Sequence, residues 1–110
     1  MSHDPTGRRI EHEHGYLEYR FGPGETCEIV DVEVHPDHRL QGIGRKLLEK
    51  LFKEIRGRAK RVYAITRAEN EMAQQWYEAC QFRSCPLRRF YSGKTGVDAI
   101  MYVRGVEGPV

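Results

Sequence analysis

The stretch Val34-His35-Pro36-Asp37-His38-Arg39-Leu40-Gln41-Gly42-Ile43-Gly44-Arg45 decides the fold, because it joins a strand to a long helix. The first turn of a helix presents free N–H groups and the positive end of the helix dipole. Gly42 and Gly44 leave that backbone without a Cβ, and Arg39 and Arg45 add positive charge nearby. These features predict a site for a phosphate or pyrophosphate group, although the same glycines would also suit a tight turn that binds nothing.

Two well-known phosphate-binding motifs are absent from this turn. The turn does not end in Gly-Lys-Ser or Gly-Lys-Thr, as a P-loop would. Leu47 stands where the third glycine of a dinucleotide-binding Gly-x-Gly-x-x-Gly would lie. The turn therefore belongs to neither of these nucleotide-binding classes.

The segments on both sides of the turn have clear patterns. Residues 16–21 and 27–34 are rich in aromatic and β-branched residues and predict two strands, with a shorter strand expected at residues 10–14. After the turn, apolar residues recur every three or four positions from Ile43 to Ile55. This spacing predicts an amphipathic helix that ends before Gly57.

The second half of the chain predicts a strand, a helix and a hairpin. The strand is expected at residues 61–66, and Asn70 is placed to cap the helix that follows. The hairpin would comprise residues 82–91 and 97–103, joined by a turn at residues 92–96. The element order predicts the α/β (α+β) class, with helices packed on a mixed sheet.

Length and composition limit the functional classes. The 110 residues allow one domain, and a net charge of +2 is too small to favour nucleic acid. No apolar run approaches the roughly 20 residues of a membrane-spanning helix. The odd cysteine count favours a reducing cytoplasm over a secreted disulfide framework. We expect a flexible leader at residues 1–9, one domain at 10–104 and a tail at 105–110.

Two sequence blocks resemble the GNAT superfamily of N-acetyltransferases. Its coenzyme A signature, Arg/Gln-x-x-Gly-x-Gly/Ala after a strand, is matched by Arg39, Gly42 and Gly44. Its second signature, Asn-x-x-Ala-x-x-aromatic-Tyr-Glu-x-x-Gly-Phe, is similar to residues 70–82. The closing hairpin is similar to that of protein N-terminal acetyltransferases of the ribosomal-protein-alanine type. The resemblance implies a mostly antiparallel GNAT sheet, with the usual N-terminal strand and helices shortened or absent.

The resemblance also implies acetyl-CoA as the cofactor and assigns residues to it. Backbone groups of the strand before the turn would pair with the pantetheine amides, the turn would hold the pyrophosphate, and the second helix would hold the cofactor arm. The implied cofactor-binding residues are Val32, Glu33, Val34, Arg39, Leu40, Gln41, Gly42, Ile43, Gly44, Arg45, Asn70, Ala73 and Tyr77. Asn70 would serve equally well as a plain helix cap.

The implied chemistry is acetyl transfer to an amine by direct attack in a ternary complex. Tyr77 matches the family's general acid, although it would also suit a buried aromatic position on the second helix. Glu28 matches the catalytic glutamate of histone-type members, and an ordered water is the alternative base. The N-terminal acetyltransferases carry their glutamate on the next strand, where this chain has Ile65.

The acceptor side is less well defined by the sequence. A peptide N-terminus, a lysine or a small amine would each suit the chemistry, with Phe90 and Tyr91 as candidate walls of the acceptor site. A second copy of the chain is one way to complete the acceptor cleft. No metal site is expected, because His12 and His14 share a strand face without an evident third ligand. A non-catalytic CoA-binding or protein-interaction module on the same fold is the alternative function.

Overall fold

A computed structural model of the chain describes residues 7–39, 41–91 and 96–106. Six strands and two α-helices follow one another in the predicted order, with one short 3-10 helix at Pro36–His38. The elements are β1 Arg8–His12, β2 Gly15–Gly22, β3 Thr26–Val34, α1 Ile43–Ile55, β4 Arg61–Arg67, α2 Glu71–Ala79, β5 Arg83–Arg88 and β6 Val97–Gly105. The short strand expected at residues 10–14 is present as β1, which begins and ends two residues earlier than expected.

The strands form one sheet in the order β1-β2-β3-β4-β6-β5. Four of the five neighbouring pairs are antiparallel, and only β3 and β4 run parallel. This arrangement confirms the predicted mixed, mostly antiparallel sheet. The expected hairpin is formed by β5 and β6, while residues 92–95 of its turn lie outside the described residues.

Both helices pack on one face of the sheet, which we call the inner face. Its buried side chains form a single core that joins α1 and α2 to β2, β3, β4 and β6, and the half-buried Ile10 of β1 packs against it. The helices also touch each other, because the indole of Trp76 in α2 lies against Gly44 in α1. Each helix therefore buries one apolar stripe, as its amphipathic sequence pattern predicted.

The opposite, outer face is not covered by any described helix. The strand registers place five neighbouring pairs on it: Tyr16–Glu33, Glu18–Asp31, Arg20–Glu28, Tyr63–Val103 and Ile65–Met101. The half formed by β2 and β3 is charged, and the half formed by β4 and β6 is largely apolar. One sheet therefore has a packed inner face and an accessible outer face.

The helix ends follow local rules that the sequence carries. Gly57 adopts a positive φ of 86° just after α1, where the chain leaves the helix. Gln81 stands where GNAT members usually have glycine, and it adopts the left-handed conformation with a φ of 69°. A non-glycine residue there costs about 1–2 kcal/mol.

Candidate active site

The cleft between β3 and β4 is the central feature of the site. The two strands pair only over three residues, from Thr26–Arg61 to Glu28–Tyr63, and then separate. Register also shifts on the other side of β3, where Glu18 pairs with Asp31 but Tyr19 pairs with Ile29. Val30 is thus an extra residue, and such a bulge bends its strand. The bend in β3 coincides with its separation from β4. Residues 31–34 therefore have one edge that pairs with no described strand.

An unpaired strand edge presents backbone N–H and C=O groups that an extended molecule carrying amides can bind. Val32 and Val34 are half-buried against the core, whereas Glu33 is exposed on the outer face. The three residues expected to hold pantetheine therefore line the open edge. The buried hydroxyl of Thr66, on β4 beyond the last β3 pair, has no hydrogen-bond partner among the described residues.

The turn at the end of the cleft has the open space that a bulky anion needs. Gly42 adopts a φ of 78° and precedes α1 without a side-chain cap. A Cβ built on Gly42 would meet no described atom within 4 Å. The guanidinium of Arg39 donates to the carbonyl oxygen of Val34 at 3.2 Å, which holds the turn against the end of β3. Gln41 is exposed beside it, and Leu40 lies outside the described residues.

Gly44 has a different environment from Gly42. A Cβ on Gly44 would lie 2.6 Å from Nε1 of Trp76, so the glycine allows α2 to approach α1 closely. Ile43 is buried in the core, and Arg45 points toward α2, where it donates to the carbonyl oxygen of Ala79 at 3.4 Å. Gly42 thus leaves open space at the turn, whereas Gly44 allows the two helices to pack closely.

Tyr77 approaches the cleft from the inner face. Only 6% of the residue is exposed, and its ring stacks on Tyr102 with centroids 5.1 Å apart. The rings of Trp76 and Phe82 pack edge-on against it. Burial is the main cause that raises the pKa of the Tyr77 hydroxyl, with smaller effects from Cys80 and Asp31. The hydroxyl therefore stays protonated, as a general acid must before it acts.

Glu28 lies on the outer face at the last β3–β4 pair. Its Oε1 accepts from Nε of Arg20 at 2.9 Å and from the hydroxyl of Tyr63 at 3.5 Å. Its side chain is 18% exposed. Glu28 thus lies on the outer face at the closed end of the cleft, whereas Tyr77 lies in the core on the inner face. Ile65 shares the outer face with Arg67, so the position of the N-terminal acetyltransferase glutamate is apolar here.

The remaining expected residues lie around the open end of the cleft. Asn70 caps α2, since its Oδ1 accepts from the backbone N–H of Ala73 at 3.2 Å. Phe90 and Tyr91 are exposed, and the carboxylate of Asp98 accepts from their backbone N–H groups at 2.7 and 2.8 Å. The guanidinium of Arg67, the last residue of β4, lies 4.3 Å from the ring centre of Tyr91.

Two features of this region are not visible in the sequence. His14 stacks on His38 with ring centroids 3.5 Å apart, and His12 and His35 each lie 5.8 Å from one ring of that pair. The described residues contain no group of three or more His, Cys, Asp or Glu arranged to hold a metal ion.

The second feature is Asp31, which the Val30 bulge places on the outer face beside the cleft. A bulge leaves no fixed mark in a sequence, so alternation alone would not give this position.

Comparisons with known proteins agree with this geometry. The family model described as "Acetyltransferase (GNAT) family" matches residues 11–82. The chain is 36% identical over 87 residues to "N-alpha-acetyltransferase RimI" of Mycobacterium tuberculosis, covering 79% of this chain and 54% of that protein. It is also 36% identical over 68 residues to "[Ribosomal protein bS18]-alanine N-acetyltransferase" of Escherichia coli K12, covering 61% and 46%. The chain spans about half the length of these curated relatives.

Solved structures give the same fold. The ribosomal-protein-S18-alanine N-acetyltransferase of Escherichia coli superposes with a TM-score of 0.71 at 23% identity, covering 94% of this chain and 72% of that one. An acetyltransferase from Thermus thermophilus superposes with a TM-score of 0.74 at 24% identity, covering 93% and 66%. Within the described part of the chain, no helix is both long and apolar enough to cross a membrane.

Proposed function

Because the chain belongs to the acetyltransferase (GNAT) family, we propose that it transfers an acetyl group from acetyl-CoA to an amine. The observation that carries the proposal is the cleft between β3 and β4. It leads from Tyr77 and Glu28 at its closed end to the Gly42 turn at its open end. An acetyl donor that has an amide-bearing arm and a pyrophosphate would match the order of these groups along the cleft.

The donor would lie along the cleft. Its amides would pair with the free edge of Val32, Glu33 and Val34, and its pyrophosphate would lie on the first turn of α1. The open space at Gly42 and the uncapped helix start support this placement. Arg39 and Arg45 would add charge at the turn, and Asn70 and Ala73 would border the arm from the start of α2.

The donor supplies an acetyl thioester, and the chain supplies the proton transfers. Glu28, directly or through a water, accepts one proton from the acceptor's ammonium group, which leaves the nitrogen lone pair free. The nitrogen then forms its bond to the acetyl carbon, and the carbon–sulfur bond breaks. Tyr77 gives its proton to the leaving sulfur and regains one from the nitrogen. The balance is one amide, one free thiol and one proton released.

A peptide N-terminus is the acceptor that we propose. The curated relatives named above are N-terminal or alanine N-acetyltransferases, which favours an α-amine. An α-amine has a pKa near 8, against about 10.4 for lysine, so less energy is needed to deprotonate it. The exposed rings of Phe90 and Tyr91 would border the peptide at the open end of the cleft.

The setting of the reaction is also part of the proposal. We place it in the cytoplasm, which the free state of Cys27, Cys80 and Cys85 supports. A second copy of the chain would complete the acceptor cleft by covering the apolar half of the outer face. Sedimentation analysis tests this point, because a monomer at micromolar concentration would contradict it.

Coenzyme A release with defined acceptors tests the function. The purified chain would be mixed with acetyl-CoA and, in separate reactions, with alanine-starting peptides, the same peptides blocked at the N-terminus, and spermidine. We expect release with the free peptides and none with the blocked ones. Acetyl-CoA binding without release for any acceptor would instead indicate a non-catalytic CoA-binding module. Failure to bind acetyl-CoA would contradict both functions.

A further inference from the structure

Asp31 occupies a distinctive position at the mouth of the cleft. It directly follows the Val30 bulge, at the point where β3 has left β4, and its side chain lies on the accessible outer face. The Tyr16 hydroxyl donates to Oδ2 of Asp31 at 2.9 Å. Tyr16 is itself fixed, because the guanidinium of Arg9 lies 4.0 Å from its ring centre. The carboxylate is therefore oriented by a neutral donor.

The charge of Asp31 is less compensated than that of Glu28. Glu28 forms an ion pair with Arg20 at 2.9 Å, whereas no arginine or lysine in the described ranges pairs with Asp31. A carboxylate that is held in place but lacks a cationic partner is suited to bind a cation from outside. Asp31 is thus the better electrostatic partner for an incoming ammonium group.

The strand register places Asp31 close to the expected proton-transfer residues. Asp31 lies three residues beyond Glu28 on the same outer face, just past the last β3–β4 pair, Glu28–Tyr63. Tyr77 lies in the core on the inner face. Burial is the main cause that raises the pKa of Tyr77, and the negative charge of Asp31 adds a smaller contribution.

We propose that Asp31 binds the ammonium group of the acceptor and holds its nitrogen over the cleft before attack. This inference rests on the proposed acetyl transfer and assigns a residue to acceptor recognition. Asp31 forms and breaks no covalent bond in this role. The proton leaves through Glu28 as described above, three residues earlier on the same face. The proposal predicts that acceptors are selected as cations and released after acetylation, when the amide carries no charge.

Glu11 supplies a matched control. It carries the same charge on the same outer face, on β1, where it pairs with Tyr16. β2 lies between Glu11 and Asp31 in the sheet. The ion-pair partner of Glu11, Arg9 at 3.7 Å, keeps its shorter contact with Glu18 at 2.7 Å. Neutralising Glu11 therefore changes the net charge of this face by the same amount without removing Asp31.

The test uses three variants of the full chain: Asp31→Asn, Asp31→Glu and Glu11→Gln. Asparagine retains an oxygen that can accept from Tyr16, so a purely structural role of Asp31 would survive this change. Initial rates would be measured with a hexapeptide beginning with alanine. Calorimetry would give the affinity for acetyl-CoA and, for the CoA-saturated protein, the affinity for the same peptide.

For Asp31→Asn we expect kcat/KM for the peptide and peptide affinity to fall about 10- to 100-fold, the loss typical of a hydrogen bond to a charged group. Acetyl-CoA affinity should stay within about twofold. Asp31→Glu should restore part of the loss, and Glu11→Gln should stay within about threefold of the unmodified chain.

Equal kinetics for Asp31→Asn and Glu11→Gln would overturn the inference while leaving acetyl transfer in place. A loss confined to acetyl-CoA affinity would also overturn it, because Asp31 would then act on the donor. Absence of turnover in the unmodified chain would remove the proposed function, and the inference with it.

Discussion

The contact between Gly44 and Trp76 gives a sharp prediction about how the two helices pack. In Gly44→Ala the new Cβ would lie 2.6 Å from Nε1 and 3.1 Å from Cε2 of the Trp76 indole. Contacts of this kind need about 3.5 Å, so α1 and α2 must separate or the indole must move. Overpacking of this size costs about 1–3 kcal/mol. The gain in helix propensity from glycine to alanine offsets about 1 kcal/mol of it.

A double-mutant cycle separates these two effects. The gain in propensity is the same whether or not residue 76 is tryptophan, so it cancels in the coupling energy. We expect Gly44→Ala to cost about 1–3 kcal/mol more in the native background than in Trp76→Leu, measured by urea unfolding followed by circular dichroism. Gly42→Ala is the matched control, because its cost of about 1–2 kcal/mol comes from the positive φ alone.

The cost of Gly42→Ala should be the same in the native and the Trp76→Leu backgrounds. A coupling energy below about 0.5 kcal/mol for Gly44→Ala and Trp76→Leu would refute the reasoning, since independent sites add within that margin. The glycine would then have been selected for the turn itself rather than for helix packing.

Three further predictions concern catalysis and the thiols. Tyr77→Phe keeps the aromatic packing but loses the proton donor. The kcat should therefore fall about 100-fold or more while acetyl-CoA affinity stays unchanged. An unaltered kcat would remove Tyr77 from the mechanism. In the native protein only the exposed Cys85 should react rapidly with Ellman's reagent, and fast labelling of all three thiols would contradict the described burial. Burial raises the pKa of Cys27 from 9.0 to about 12, so the unfolded chain ionises first and stability should fall as pH rises from about 9 to 12. Cys27→Ala should reduce the dependence of the unfolding free energy on pH, measured by urea unfolding at several pH values. An unchanged dependence would show that other groups cause it.

Much of the fold follows from local patterns in the sequence. The helical spacing from Ile43 to Ile55 and the strand composition around it predicted the correct order of elements. Motif spacing and the resemblance to GNAT proteins together predicted which turn would stand at the end of the cleft. Gln81 lies at the glycine position of the second signature, and its backbone adopts the left-handed conformation that glycine favours.

Other features depend on how distant segments meet. Gly44 looked like a second opening for an anion, but its role in packing against Trp76 depends on a helix 32 positions farther along the chain. The place of Asp31 depends on the bulge at Val30, which reverses the facing of every later residue of β3 relative to simple alternation. His14 and His38 come together only because the end of β3 returns beside the β1–β2 turn. Such contacts are set by tertiary register rather than by local periodicity.

The proposed function depends above all on the Gly42 turn, which we propose holds the pyrophosphate of acetyl-CoA. Acetyl-CoA would be titrated by calorimetry into the unmodified chain and into Gly42→Val. Gly24→Val is the control, because Gly24 also has a positive φ but lies away from the cleft. We expect one-to-one binding to the unmodified chain, at least a tenfold loss for Gly42→Val and little change for Gly24→Val. Equal affinity for acetyl-CoA in all three folded proteins would contradict it.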